Sequence, residues 1–201
     1  LSSMVIETLA LAQSKIDPPV TAVCPPEITD EFQKRIENWR KGVENWRKAV
    51  EQGDEDGYYV LGRNYSYPPP GIAPDHTEAV KWYRKGAERG IETAQHELGT
   101  CYNEGQCVPK DDVEATKWFR KAAEQGYHFA QHELGRCYAN GEGVPQDYPQ
   151  AVKWIRKAAE QGDADAQHDL GACYYRGRGV SQDYSEAVKW YRKAAEQGYE
   201  I

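Results

Sequence analysis

The sequence predicts an all-α fold, a solenoid of antiparallel helix pairs stacked on a 36-residue period. Three observations carry this reading. Ala-Glu-Gln-Gly closes on Gly126, Gly162 and Gly198, each 36 residues after the last, and self-similarity at a fixed period of this length marks a repeat protein. The register reaches back to Gly90, 36 residues earlier, and to Gly53, 37 earlier still. Helix starts recur in the same frame as Asp75-x-x-Glu78, Asp111-x-x-Glu114, Asp147-x-x-Gln150 and Asp183-x-x-Glu186. A short acceptor at the N-cap with Glu or Gln three residues on is the pattern of a capping box. Finally, apolar residues inside each unit keep helical spacing rather than strand alternation.

Taken in order, the chain opens with a segment over 1–26 that ends in a linker. Pro18, Pro19, Pro25 and Pro26 exclude a helix there. Leu1 in place of Met points to a trimmed or processed N-terminus, and Met4–Ala12 contains Glu7 without a basic flank, so it does not read as a signal peptide. Ile28, Phe32, Ile36, Trp39, Val43, Trp46 and Val50 then line one face of a helix over 29–51. Its end resembles the second helix of a repeat, so 27–53 is expected to cap the first unit. Glu37-Asn-Trp-Arg-Lys41 recurs as Glu44-Asn-Trp-Arg-Lys48, but two copies fall short of a coiled coil.

Four repeats follow, over 54–90, 91–126, 127–162 and 163–198, with a stub at 199–201. The third shows the logic. Ala130, Leu134, Cys137 and Tyr138 share one face of its first helix. Gly141 supplies the left-handed residue that ends it, and Val144-Pro145 extends the chain. From the Asp147 cap a second helix carries Ala151, Trp154, Ile155, Ala158 and Ala159, a face wide enough for two neighbours. The expected helices are 29–51, 55–66, 76–89, 93–104, 112–125, 129–140, 148–161, 165–176 and 184–197. The first repeat departs from the rest: Gly57 replaces an alanine, and Ser66-Tyr-Pro-Pro-Pro-Gly-Ile-Ala-Pro74 replaces the glycine turn with one extra residue.

The pattern Ala-Gln-x-x-Leu-Gly-x-x-Tyr, Gly-x-Gly-Val-x-x-Asp and Ala-x-x-Trp-x-x-Lys-Ala-Ala-Glu-Gln-Gly resembles the Sel-one-like repeat, a relative of the tetratricopeptide repeat. Ala166, Leu170, Gly171, Tyr174, Gly177, Gly179, Val180, Asp183, Ala187, Trp190 and Gly198 carry it in the fourth unit, and the likeness spans about 54–198. It implies a right-handed α-α superhelix whose first helices line a concave groove. On a helical wheel His96 points about 160° away from the core residue Leu98, with Thr100 beside it. The equivalent positions are Tyr59 and Arg63, then Phe129, His132 and Arg136, then His168 and Tyr175. These nine residues are the expected partner-binding set. Their mixed aromatic, basic and acidic surroundings suit a polypeptide.

His96, His132 and His168 also raise a metal ladder. Ligands of one ion lie within a few ångströms of each other, so stacked helices argue for groove-lining histidines instead. Neither a metal nor a cofactor is expected. Cys101, Cys137 and Cys173 repeat in one packing slot, about one helix spacing apart and beyond disulfide reach. Cys107 replaces the second turn glycine. Free thiols are expected, although an oxidising compartment would allow Cys107 to pair with Cys101 or Cys137. The thiols favour a reducing cytoplasm; a removed leader would instead place the chain in the periplasm or outside the cell.

With 25 basic and 32 acidic residues the net charge is -7, which argues against nucleic acid as the partner. Twelve of the basic residues lie on second helices, with Glu88, Glu124, Glu160 and Glu196 four residues after Arg84, Arg120, Arg156 and Arg192. That spacing predicts an ordinary solvated face of ion pairs. There is no phosphate loop, nucleophile elbow, His-Glu-x-x-His or Cys-x-x-Cys, and no apolar run long enough for membrane insertion. The expected function is non-catalytic polypeptide binding as a bacterial adaptor or scaffold. An immunity protein against a secreted toxic effector is one alternative, and a non-catalytic portion of a larger enzyme or regulator another. The last helix lacks a cap, so either the natural chain continues beyond Ile201 or self-association or a partner covers that helix.

Overall fold

The computed structural model describes residues 30–199. The proposed N-terminal segment, its proline linker, Ile28, Cys24 and the last two residues lie outside that range. All described regular structure is helical: α1 (Asp30–Glu51), α2 (Asp56–Ser66), α3 (His76–Glu88), α4 (Glu92–Glu104), α5 (Asp112–Glu124), α6 (His128–Asn140), α7 (Tyr148–Glu160), α8 (Ala164–Arg176) and α9 (Tyr184–Glu196). Every boundary falls within one residue of its expected place. The chain divides into two units, one ending at Ala79 and one beginning at Val80.

In the first unit α1 packs along α2. Val43 of α1 is buried, and Trp39 meets the ring of Tyr65 edge-on at 6.0 Å. Gly57 stands where later repeats have alanine because α1 approaches too closely there: a Cβ would lie 2.4 Å from Val50 Cγ2. The two recurring pentads hold Lys41 to Glu37 at 2.7 Å and Lys48 to Glu44 at 2.8 Å, one turn apart along α1. The proline loop keeps its closing bond despite the extra residue, since the Asp75 N–H donates to the Tyr65 carbonyl at 2.9 Å.

The second unit is built between pairs rather than within them. Phe119, Ala122 and Ala123 of α5 pack with Ala130, Leu134 and Cys137 of α6 and Trp154 of α7. Ala151, Val152, Ile155, Ala158 and Ala159 of α7 pack likewise with Ala166 and Leu170 of α8 and Trp190 of α9. Each apolar face is thus covered by the following pair, as a solenoid requires. Loops lock onto the preceding pair. A Cβ at Gly143 would lie 1.9 Å from the Asp112 carbonyl oxygen, and one at Gly179 would lie 2.3 Å from that of Tyr148. Both glycines have positive φ, 66° and 74°, so two independent demands select glycine.

Four polar devices repeat through the helices. Each N-cap carboxylate accepts from the first turn: Asp75 from Glu78 N–H, Asp111 from Val113 and Glu114, Asp147 from Gln150, Asp183 from Ser185 and Glu186. The reciprocal half of the expected box takes another form. The N-cap N–H donates to a tyrosine carbonyl of the preceding helix, Asp111 to Tyr102, Asp147 to Tyr138 and Asp183 to Tyr174. Glu114 and Glu186 turn instead to Lys117 and Lys189. Buried Gln95, Gln131 and Gln167 donate to the carbonyls of Ala87, Ala123 and Ala159 and accept from Gln125, Gln161 and Gln197. Hydrogen bonds at both ends of the buried amide offset the cost of taking it out of water.

The arginines correct the expected ion pairs. Arg84, Arg120 and Arg156 donate to the phenol oxygens of Tyr102, Tyr138 and Tyr174 at 2.8–3.0 Å, each 18 residues on. Arg47 does the same to Tyr65 within the first unit. The guanidinium is long enough to reach the next first helix, where a half-buried phenol is a better partner than the solvated glutamate one turn away. α1 therefore occupies the place of a second helix. Lys85, Lys121, Lys157 and Lys193 lie over the rings of Trp82, Trp118, Trp154 and Trp190 at 3.9–4.4 Å, a cation–π arrangement.

Candidate functional site

In the second unit the expected binding residues lie on the first helices α4, α6 and α8, and their exposure is uneven. Phe129 and Tyr175 are 48% and 54% exposed. Arg136 is also exposed and lies 3.3 Å from Glu133 one turn before it. Thr100 is half-buried, its hydroxyl donating to the His96 carbonyl. Within the first unit, Arg63 is exposed and reaches the Tyr59 phenol at 3.4 Å.

The three histidines are not the free groove residues that the wheel predicts. His132 is only 8% exposed, and His96 and His168 are half-buried. The residue that starts the following repeat folds over this slot. The His96 ring meets Tyr127 at 5.4 Å and Phe129 at 6.3 Å. His168 stacks on Tyr199 at 4.8 Å and also meets Tyr191. Tyr127 and Tyr199 occupy equivalent positions two repeats apart, with Asp163 between them. A wheel describes one helix and leaves out the neighbour that covers it.

Around His132 the cover is acidic. Its Nε2 lies 2.8 Å from Asp169 Oδ2, and the other oxygen of Asp169 lies 3.5 Å from His168 Nδ1. Burial works against a charged His132, but the hydrogen bond and charge of Asp169, with Asp163 and Glu133 nearby, raise its pKa above the ordinary value. Burial likewise pushes the Asp169 carboxyl up, yet the contacts with His132 and His168 bring it below the usual aspartate value. Asp163 both caps α8 and faces His128 Nδ1 at 3.0 Å. The slot is a set of inter-repeat clasps. Among the described residues no group of three or more His, Cys, Asp or Glu could hold a metal ion.

Tyr127 and His128, which the sequence reading passed over, complete the face. With Phe129 they form an aromatic cluster with ring centroids 4.0–5.9 Å apart. A legible signal existed: Ile91, Tyr127, Asp163 and Tyr199 vary in type at a fixed place immediately after each terminal glycine.

The Sel1 repeat profile matches residues 38–54, 56–91, 93–127, 128–163 and 164–199. The first match falls on the C-terminal part of α1, in agreement with its Arg47 contact. No curated protein matches the chain. Among solved structures it is similar to c5321, a protective antigen of uropathogenic Escherichia coli, at 40% identity and TM-score 0.73, over 78% of this chain and 33% of that one. The chain thus spans about a third of that relative. It is similar to a Sel1 repeat protein from Oxalobacter formigenes at 33% identity and TM-score 0.72, over 86% of this chain and 75% of that one. Similarity extends to the immunity protein PA5088 from Pseudomonas aeruginosa at 25% identity and TM-score 0.55, over 87% and 68% of the two chains. The five matched ranges together cover most of the described helices, and the chain belongs to the Sel1 repeat family.

Proposed function

We propose that the chain is a non-catalytic adaptor that binds a polypeptide on the outward face of its first helices. Sel1 repeats form a protein-interaction fold and are generally non-catalytic. The observation that carries the reading is the contrast in how residue types are used. On second helices, Arg84, Arg120 and Arg156 and the tryptophan-covering lysines have partners inside the stack. On first helices, Phe129, Arg136 and Tyr175 stay exposed. Aromatic and arginine side chains dominate binding hot spots. Tyr59, Arg63, Thr100 and the three histidines are the other members of the proposed set, with buried His132 contributing least.

A photo-crosslinking residue at position 136 or 175 should capture a protein partner in the source cell, and one at Lys153 should not. Capture from Lys117, Arg120 or Lys153 alone would move the site to the second helices. An immunity function is a second reading, favoured by the likeness to PA5088. It requires a tight one-to-one complex with a toxic effector. Purified effector whose activity survives an excess of this chain would remove that reading while leaving the adaptor reading intact.

A further inference from the structure

We propose that Cys101 and Cys107 are a redox-active dithiol that closes reversibly to an intrachain disulfide in exchange with low-molecular-weight disulfides. Cys101 lies in the last turn of α4. Gly105 then turns the chain back, its N–H bonded to the Cys101 carbonyl at 3.1 Å, and Asp111 N–H closes the loop on Tyr102 at 2.9 Å. The return places the Cys107 thiol in hydrogen-bonding contact with that of Cys101. Cys101 is buried and Cys107 half-exposed.

The other repeats supply the comparison. Cys137 and Cys173 occupy the slot of Cys101, but Gly143 and Gly179 stand where Cys107 does. Cys137 instead has the Thr116 hydroxyl beside it. A second sulfur beside a repeated cysteine is therefore particular to the α4–α5 turn among the three equivalent turns. Glycine satisfies the same turn in the other two repeats, so the turn itself does not require a cysteine at 107.

The chemistry follows from the difference in exposure. The Cys101 S–H, donated toward the outer sulfur, holds the Cys107 thiol below its ordinary pKa. The shared hydrogen bond, burial and the nearby carboxylates of Glu97 and Glu104 raise Cys101. The Cys107 thiolate attacks one sulfur of the small disulfide RSSR and expels RS⁻, which takes up the proton lost by Cys107. Cys101 then gives up its proton and attacks the Cys107 sulfur of the mixed disulfide, expelling a second RSH. The sum is two protein thiols plus RSSR to one protein disulfide plus two RSH. Thiolate character and access both favour the outer cysteine as attacker.

The test uses the full chain and glutathione disulfide under native conditions, followed by alkylation and tryptic mapping. Residues 90–110 contain both sulfurs and no Lys or Arg before Lys110, so one peptide reports the bond. The expected result is that peptide lighter by two hydrogens and unalkylated, restored by reduced glutathione, while Cys137 and Cys173 remain alkylatable. In Cys107→Gly, which restores the residue of the other turns, Cys101 should resist oxidation at the same glutathione disulfide concentration, with an unchanged helical spectrum. The proposal is overturned if both thiols in wild-type protein stay alkylatable, if Cys107 stops at the glutathione mixed disulfide, or if either sulfur pairs with Cys24 instead.

Discussion

The first and second helices of residues 80–199 draw on the same residue types for opposite ends. Arginine on a second helix reaches a tyrosine of the next repeat, as Arg156 does with Tyr174 at 2.8 Å. Arginine on a first helix, Arg136, remains exposed beside Glu133. Trp154 is buried in the seam between pairs with Lys157 over its ring, whereas Phe129 stands exposed among Tyr127 and His128. The difference shows that residue type alone does not decide whether a side chain joins the stack or stays exposed. Distance to the next repeat does.

That contrast breaks most severely at the seam. Trp154→Ala removes a large buried ring against α5 and α6 and should lower unfolding stability by about 3–5 kcal/mol, read by urea denaturation. A loss below about 1 kcal/mol would mean that the pairs are not held together there. Gly143→Ala comes next, because its Cβ meets the Asp112 carbonyl and its φ is 66°. Overpacking and left-handed strain together predict a loss of about 2–4 kcal/mol. Gly162→Ala separates the two terms, since φ is 97° but nothing lies within 4 Å of the new Cβ, and should cost about 1 kcal/mol.

A smaller effect sharpens the histidine slot. The folded-state pKa of His132 is raised above 6.5, so its contribution is complete below 6.5 and is lost as pH rises through the raised value. That of Asp169 is lowered beneath 3.8, so its contribution is present above 3.8 and is lost as pH falls through the lowered value. The stability difference between wild type and Asp169→Asn should therefore be greatest between these ordinary values and shrink toward alkaline pH. The Asp169 side chain is 39% exposed, and solvent screening holds the difference to about 1 kcal/mol or less. Denaturation at a pH between these ordinary values and at alkaline pH reads it, and a difference that grows as pH rises above 6.5 would reverse the assigned sign. Smallest of all, Arg136→Ala and Tyr175→Ala should change stability by no more than about 0.5 kcal/mol. A larger loss in thermal melts would return those residues to the stack.

Much of this was open to reading in the chain alone. The terminal glycines and the Asp111, Asp147 and Asp183 caps placed helix ends within one residue, because helix termination and capping are settled by a few neighbouring residues. Ala130, Leu134, Ala158 and Ala159 could be assigned to the core from their spacing, since a helix keeps its face whatever covers it. The exposed aromatics of the candidate face followed from the same wheel. His132 did not, because its burial depends on Asp169, 37 residues away.

The sequence by itself determined the repeat, the helices, their caps and the apolar stripes, all of which arise from contacts within about one turn of chain or from a strict period. Only the tertiary structure decided the partner of each long polar side chain. Arg120 could choose between Glu124 on its own helix and Tyr138 on the next, and the choice depends on the approach of two backbones. The same approach selected glycine over alanine at Gly57 beneath Val50. It also brought Cys107 back onto Cys101, where two thiols six residues apart meet because Gly105 and Asp111 close the turn between them. Side-chain pairing across repeats is set by distances that no single helix encodes.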